Sequence, residues 1–205
     1  NIALWNLYQL ANALYPLIEE TTPLETALEN FQSNYQNQAM AMMASKLGLL
    51  EFKQEDQQLF NDLESLMIVE ETDMTIFYRL LGSAETLSYE DLFEAYYDPE
   101  SHSEEFSLTV NAWLKQYYYR LAQESQSFSQ RQALMNSVNP KYVFRNYLAQ
   151  EAIDKADLGD FSMVNELLEL YRKPYDEQVD KQHYASKRPD WARTKVGCSM
   201  LSCSS

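Results

Sequence analysis

The stretch that decides the fold is Asn139-Pro140-Lys141-Tyr142-Val143-Phe144-Arg145-Asn146-Tyr147-Leu148-Ala149-Gln150-Glu151-Ala152-Ile153. Asn139 reads as an N-cap and Pro140 as the first helical residue, a pairing that starts a helix at little cost. Tyr142, Phe144, Tyr147, Leu148 and Ile153 then recur at helical spacing and give it one apolar face. Gly159 is the expected stop. Asp160 reads as the cap of a further helix from Phe161 to about Tyr171, and Arg172-Lys173-Pro174-Tyr175-Asp176-Glu177-Gln178 breaks the pattern.

The same pattern extends upstream. Residues 2–15 carry Leu4, Leu7, Tyr8, Ala11 and Leu14 on one side, and Pro16 and Pro23 punctuate the segment after them. Thr22-Pro23-Leu24-Glu25 combines an N-cap, a first-turn proline and a glutamate three residues on, the signature of a capping box. The helix it opens is predicted to pass through Met40, Met42 and Met43, which read as core filler, to Gly48. Gln54–Val69 is predicted helical through Leu59, Phe60, Leu63, Leu66 and Met67. Asp73 is expected to cap a short helix closed by Gly82, and Ser88-Tyr89-Glu90-Asp91 to begin another. Asp98–Ser103 reads as loop, Glu104 to about Gln123 as a long helix, and Ser129–Asn136 as a shorter one.

Three of the four glycines fall where helices end, and alternating β-branched runs are nearly missing, so the class is all-α. The expected organisation is a helical body over 1–172 and an irregular tail over 173–205, docked on that body through Tyr175, Tyr184 and Trp191. No fixed-period repeat marks a solenoid.

The chain has 205 residues and a formal charge of −15. From Arg172 onward seven Lys/Arg face four Asp/Glu, and the preceding residues hold nine basic against 27 acidic groups, a net of −18. So acidic a body argues against a nucleic-acid partner, whose phosphates demand Lys/Arg. The acid-rich helices otherwise read as solvated faces, across which the basic tail can lie in a salt-sensitive attraction. No stretch approaches the roughly 18 apolar residues of a membrane span, and no signal peptide is present; a segment upstream of Asn1 could still carry one.

Most signatures of chemistry are missing. The four glycines are too far apart to cradle phosphates. His102 and His183 have no ligand-spaced partner, so no metal site is expected. Acid pairs such as Glu19-Glu20, Glu70-Glu71 and Glu104-Glu105 point about 100° apart on a helix and read as helix-end groups. Tyr96-Tyr97 and Tyr117-Tyr118-Tyr119 read as core edge and packing surface. Cys198 and Cys203 differ: they are the only cysteines, they lie near the C-terminus among small polar residues, and as accessible thiols they are candidates for exchange.

Asn139–Gln150, Gly159-Asp160-Phe161, Pro174-Tyr175-Asp176, Pro189-Asp190-Trp191-Ala192 and the closing Ser202-Cys203-Ser204-Ser205 together resemble the C-terminal end of the selenoprotein O family. Ile2–Ala11 is similar to a segment from the middle of that family. The resemblance implies the helical C-terminal part of a kinase-like protein adenylyltransferase, which moves AMP from ATP to Ser, Thr or Tyr hydroxyls with Mg²⁺ or Mn²⁺. It implies that the nucleotide-binding residues lie in a missing N-terminal half, the chain's natural partner, so that no catalytic or cofactor-binding residue falls in this chain and the chain alone is inactive. It implies protein substrates and a bacterial, cytoplasmic setting. Family members commonly end in Cys-Ser-Ser or carry a selenocysteine, and the terminal thiol can bridge to a cysteine of the activation segment; by position that role falls on Cys203. The four-residue gap between Cys198 and Cys203 departs from the Cys-x-x-Cys ending of some members and weakens a local dithiol. Two other readings stand beside this one: a non-catalytic acidic helical interaction module, and a thiol oxidoreductase using Cys198 and Cys203.

Overall fold

The computed structural model describes residues 2–195 and Cys198. Among them the fold is all-α: eight α-helices and four short 3₁₀ turns, with no strand beyond one isolated bridge between Thr72 and Tyr96. The chain divides into two compact units, Asn1–Ala44 and Ser45–Ser205.

In the first unit, α1 (Ile2–Ile18) continues past Pro16, one turn further than the apolar spacing predicts, and ends where Glu19 takes a φ of 58°. α2 (Thr22–Lys46) starts one residue earlier than a Thr22 cap requires, with the Thr21 carbonyl accepting from Leu24 and Glu25. Leu4, Leu7 and Ala11 of α1, and Leu24, Leu28 and Phe31 of α2, are half-buried. No residue of α1 is fully buried, and Ile2, Trp5, Tyr8, Leu10 and Leu17 are exposed.

The second unit has two cores. The first is built by α3 (Asp56–Val69), α4 (Met74–Leu81), the 3₁₀ turn Glu90–Ala95, α5 (Glu104–Leu121) and α6 (Phe128–Val138). Trp113 and Tyr117 stack with centroids 5.2 Å apart; the Trp113 indole donates to the Leu59 carbonyl and the Tyr117 hydroxyl to that of Leu47, each at 2.9 Å. Their polar tips are thereby satisfied inside an apolar core. Gly48 turns the chain out of α2 with φ 73°; an added Cβ would lie 2.6 Å from Arg131 Cγ and 2.9 Å from Met135 Sδ, so only glycine fits this turn. The predicted cap holds at Asp73, and α5 starts at Glu104 as expected, with Ser103 as a cap the sequence reading did not name. α6 begins earlier than predicted, because Ser127 and Gln130 form a capping box. The segment opened by Ser88 folds as a 3₁₀ turn.

The deciding stretch folds differently from its prediction. Asn139 ends α6 instead of starting a helix: its N–H donates to Met135, and its side chain is locked to Lys46 by two 2.9 Å bonds. Residues 140–145 then form no helix, because tertiary partners claim their polar groups. The Lys141 and Tyr142 amides both donate to the Pro174 carbonyl, at 2.8 and 3.1 Å, and the Arg145 side chain goes to Asp73. α7 (Asn146–Ala156) therefore starts seven residues after Asn139. After Gly159, at φ 85°, α8 (Ser162–Tyr171) follows, with the Asp160 carboxylate accepting from the Ser162 amide at 2.9 Å. α7 and α8 enclose the second core of Tyr142, Tyr147, Leu148, Ala152, Met163, Leu167 and Leu170, completed by Tyr184, Ala192 and Cys198 from the tail. The tail is docked, as expected, through Tyr184 and through Trp191, which meets Tyr147 edge-on at 6.2 Å; Tyr175 stays 44% exposed and plays no such part.

Candidate functional site

The tail crosses the second unit as a strap held by two reciprocal charge clamps. At one end Glu177 of the strap sits between Arg79 of α4 and Lys141, each on a different carboxylate oxygen. At the other, Glu71 receives Arg188 at 2.5 Å and Arg193 at 2.7 Å, both from the strap. Lys181–Glu166 and Lys195–Asp154 add single pairs. Burial pulls the Glu177 carboxyl up, but Lys141 and Arg79 outweigh it and hold it below the ordinary range. Hydrogen bonds from Lys195 and Gln150 do the same for Asp154. The basic tail on an acidic body is thus realised as discrete pairs, most of them partly exposed and individually weak.

One pair beneath the strap is of another kind. Arg145 grips Asp73 bidentately, at 2.6 and 3.1 Å, and Asp73 also accepts from the Ile76 amide as the cap of α4. The Asp73 side chain is 3% exposed and that of Arg145 13%. Above them, the Tyr97 ring faces Arg188 and Arg193 at 5.2 and 5.3 Å, and its hydroxyl accepts from the Arg188 amide.

Between α4, α6 and the strap lies a cleft of ≈ 440 Å³, whose walls carry Thr75, Arg79, Gln132, Asn136, Lys141 and Glu177. Sequence reasoning passed over Arg79, Lys141 and Glu177 because nothing in their spacing announces that they meet. The one legible hint was the charge contrast between tail and body.

The sequence-nominated thiols fare differently. Cys198 is not an accessible tail thiol: it is 1% exposed in the second core, with Sγ 3.9 Å from the Asn146 carbonyl, because the strap carries it inward with Ala192. Cys203 lies outside the described residues. His102 is boxed by Tyr89, Tyr96 and Phe106, with Nδ1 2.6 Å from the Tyr89 hydroxyl and Nε2 3.6 Å from Glu70. That arrangement fixes the 98–103 loop and is a packing role. The His183 ring lies tilted by 42° beside that of Tyr184, with centroids 4.0 Å apart. Among the described residues no group of three or more His, Cys, Asp or Glu is arranged to hold a metal ion, and no helix is long and apolar enough to cross a membrane.

An all-α body is what the family resemblance implies, and comparison with known proteins identifies the class. The profile of the protein adenylyltransferase SelO family matches residues 1–172, and the chain belongs to that family. Among its relatives are proteins named protein nucleotidyltransferase YdiU. Those of Flavobacterium johnsoniae, Rhodopirellula baltica and Aromatoleum aromaticum are 50%, 46% and 46% identical to it across the whole of this chain. The match covers 40%, 41% and 39% of those proteins, so the chain spans about 40% of the length of the curated relatives it matches.

Proposed function

We propose that this chain is the helical C-terminal portion of a protein adenylyltransferase that acts in the bacterial cytoplasm on Ser, Thr or Tyr hydroxyls of other proteins. The hydroxyl oxygen attacks the α-phosphorus of ATP in line, a new P–O bond forms, and the bond to pyrophosphate breaks. Mg²⁺ or Mn²⁺ on the phosphates supplies charge neutralisation when bound. The groups that hold nucleotide and metal belong, in this reading, to the rest of the protein's length. This chain buttresses that half and carries the tail, whose Cys203, in this reading, pairs reversibly with a cysteine outside the chain and so makes activity redox-sensitive.

The observation that carries the reading is the 50% identity to a nucleotidyltransferase over the whole chain, at 40% coverage of that relative. α1 supports it. Beyond the polar stripe of Asn6, Gln9 and Asn12 its residues are mostly large and apolar, yet Trp5 and Leu17 are 61% and 81% exposed, a surface suited to cover by further protein. The test is transfer of α-labelled AMP from ATP, with Mn²⁺ or Mg²⁺, by this chain and by a version extended upstream. Transfer by the extended protein alone is expected; transfer by the 205-residue chain itself would overturn the assignment.

A further inference from the structure

The α4 cleft is asymmetric in how its charges are held. Its cations are built into the wall: the side chains of Arg79 and Lys141 are 13% and 19% exposed. One edge of the Arg79 guanidinium is fixed by Nη1 on the Asn136 and Asn139 carbonyls at 3.5 and 3.4 Å, which leaves the Nη2 edge directed at the cleft mouth. Lys141 Nζ meets Glu177 there. The anion, by contrast, lies at the surface. Glu177 is 58% exposed and sits on the strap, so it can leave without moving a helix. Thr75, Gln132 and Asn136 line the same cleft, with the Gln132 amide nitrogen donating to the Gly82 carbonyl at 2.9 Å, so a few polar groups converge on a concave surface as in a ligand site.

We propose that this cleft binds a small anion of the phosphate or carboxylate class, and that Glu177 is its intramolecular stand-in. With Glu177 in place the two cations share one carboxylate. With it displaced they offer a fork of N–H donors to two oxygens of one anionic group, the geometry that suits phosphate and carboxylate alike. Glu94 on the same wall leaves the vacated cleft with a net charge near +1, which limits it to one such group. Binding is then linked to strap position. The external anion competes with a tethered carboxylate, so its apparent affinity falls by the fraction of time the cleft is free. The anion in turn favours a strap released at its Glu177 clamp, while the Glu71 clamp and the buried Tyr184 hold the far end.

The test uses the full chain at constant ionic strength, titrated with inorganic phosphate and, separately, succinate, and followed by amide chemical shifts of α4, α6 and residues 140–145. Glu177→Gln, a surface change that leaves the fold intact, is expected to bind one of the two about tenfold more tightly than the parent chain. Adding Lys141→Gln to it is expected to remove that gain. Preference for phosphate or for succinate assigns the class. Equal affinity in the parent and Glu177→Gln chains overturns the proposal, as does the lack of saturable shifts with either anion in Glu177→Gln.

Discussion

Removing Asp73 should be among the most damaging single changes in this chain, because it breaks two structures at once. Its carboxylate caps α4 through the Ile76 amide at 3.1 Å, and it neutralises Arg145, whose side chain is only 13% exposed. Loss of a helix cap costs about 1 kcal/mol. Leaving one member of a buried pair without its partner costs about 3–5 kcal/mol. The two share an atom set and do not add fully, so Asp73→Ala is expected to cost about 3–5 kcal/mol, a large share of the ~5–15 kcal/mol that a domain typically has. Asp73→Asn keeps a cap acceptor and one oxygen for Arg145 and should cost clearly less. Urea unfolding followed by tryptophan fluorescence in a Trp5→Phe background reports this unit, since Trp113 and Trp191 both lie in it. A double-mutant cycle with Arg145→Met isolates the pair, and about 1–3 kcal/mol of coupling is expected. Additive single changes, or a cost for Asp73→Ala near 0.5 kcal/mol, the size of an ordinary surface change, would refute the reasoning.

Three further outcomes rest on the same geometry. Gly48→Ala should destabilise by about 1–3 kcal/mol, through its φ of 73° and its collision with Arg131 and Met135, and clearly more than Gly159→Ala, which shares the positive φ but meets nothing within 4 Å; thermal melts of the two variants decide it. Strap docking should weaken in acid. Glu177, Glu166 and Asp154 all have folded pKa values below the ordinary 4.5 and 3.8, so their contribution is whole above those values and is lost as pH falls through the depressed ones. Protection of the Lys141 and Tyr142 amides, which donate to Pro174 on the strap, should fall over that window relative to their intrinsic exchange at each pH, and unchanged protection would count against the clamps. In a Cys203→Ser background Cys198 should react with a thiol reagent at least about a hundredfold more slowly in the native chain than in urea, because only opening of the strap exposes it.

The helical class could be read from the chain because it rests on local physics: apolar spacing, Asp73 as a cap, and Gly48 and Gly159 as left-handed stops. What could not be read depends on groups distant in sequence. Asn139-Pro140 has the local chemistry of a helix start, yet Lys46, 93 residues away, takes the Asn139 side chain, and Pro174 takes the next two amides. Cys198 has the neighbours of an exposed thiol, yet Ala192 and Trp191 draw its segment into the α7–α8 core. The strap clamps were legible only as a net charge difference. Their pairing joins residues up to 122 positions apart, a distance no local pattern encodes.

The proposed function has the longer protein transfer AMP and not phosphate. Its most direct test is a pair of incubations of the upstream-extended protein with a protein substrate, one with α-labelled and one with γ-labelled ATP. Stable incorporation of the α-label with none of the γ-label is the predicted result, since pyrophosphate carries the γ-phosphate away. Incorporation of the γ-label would contradict the account and make the protein a phosphotransferase.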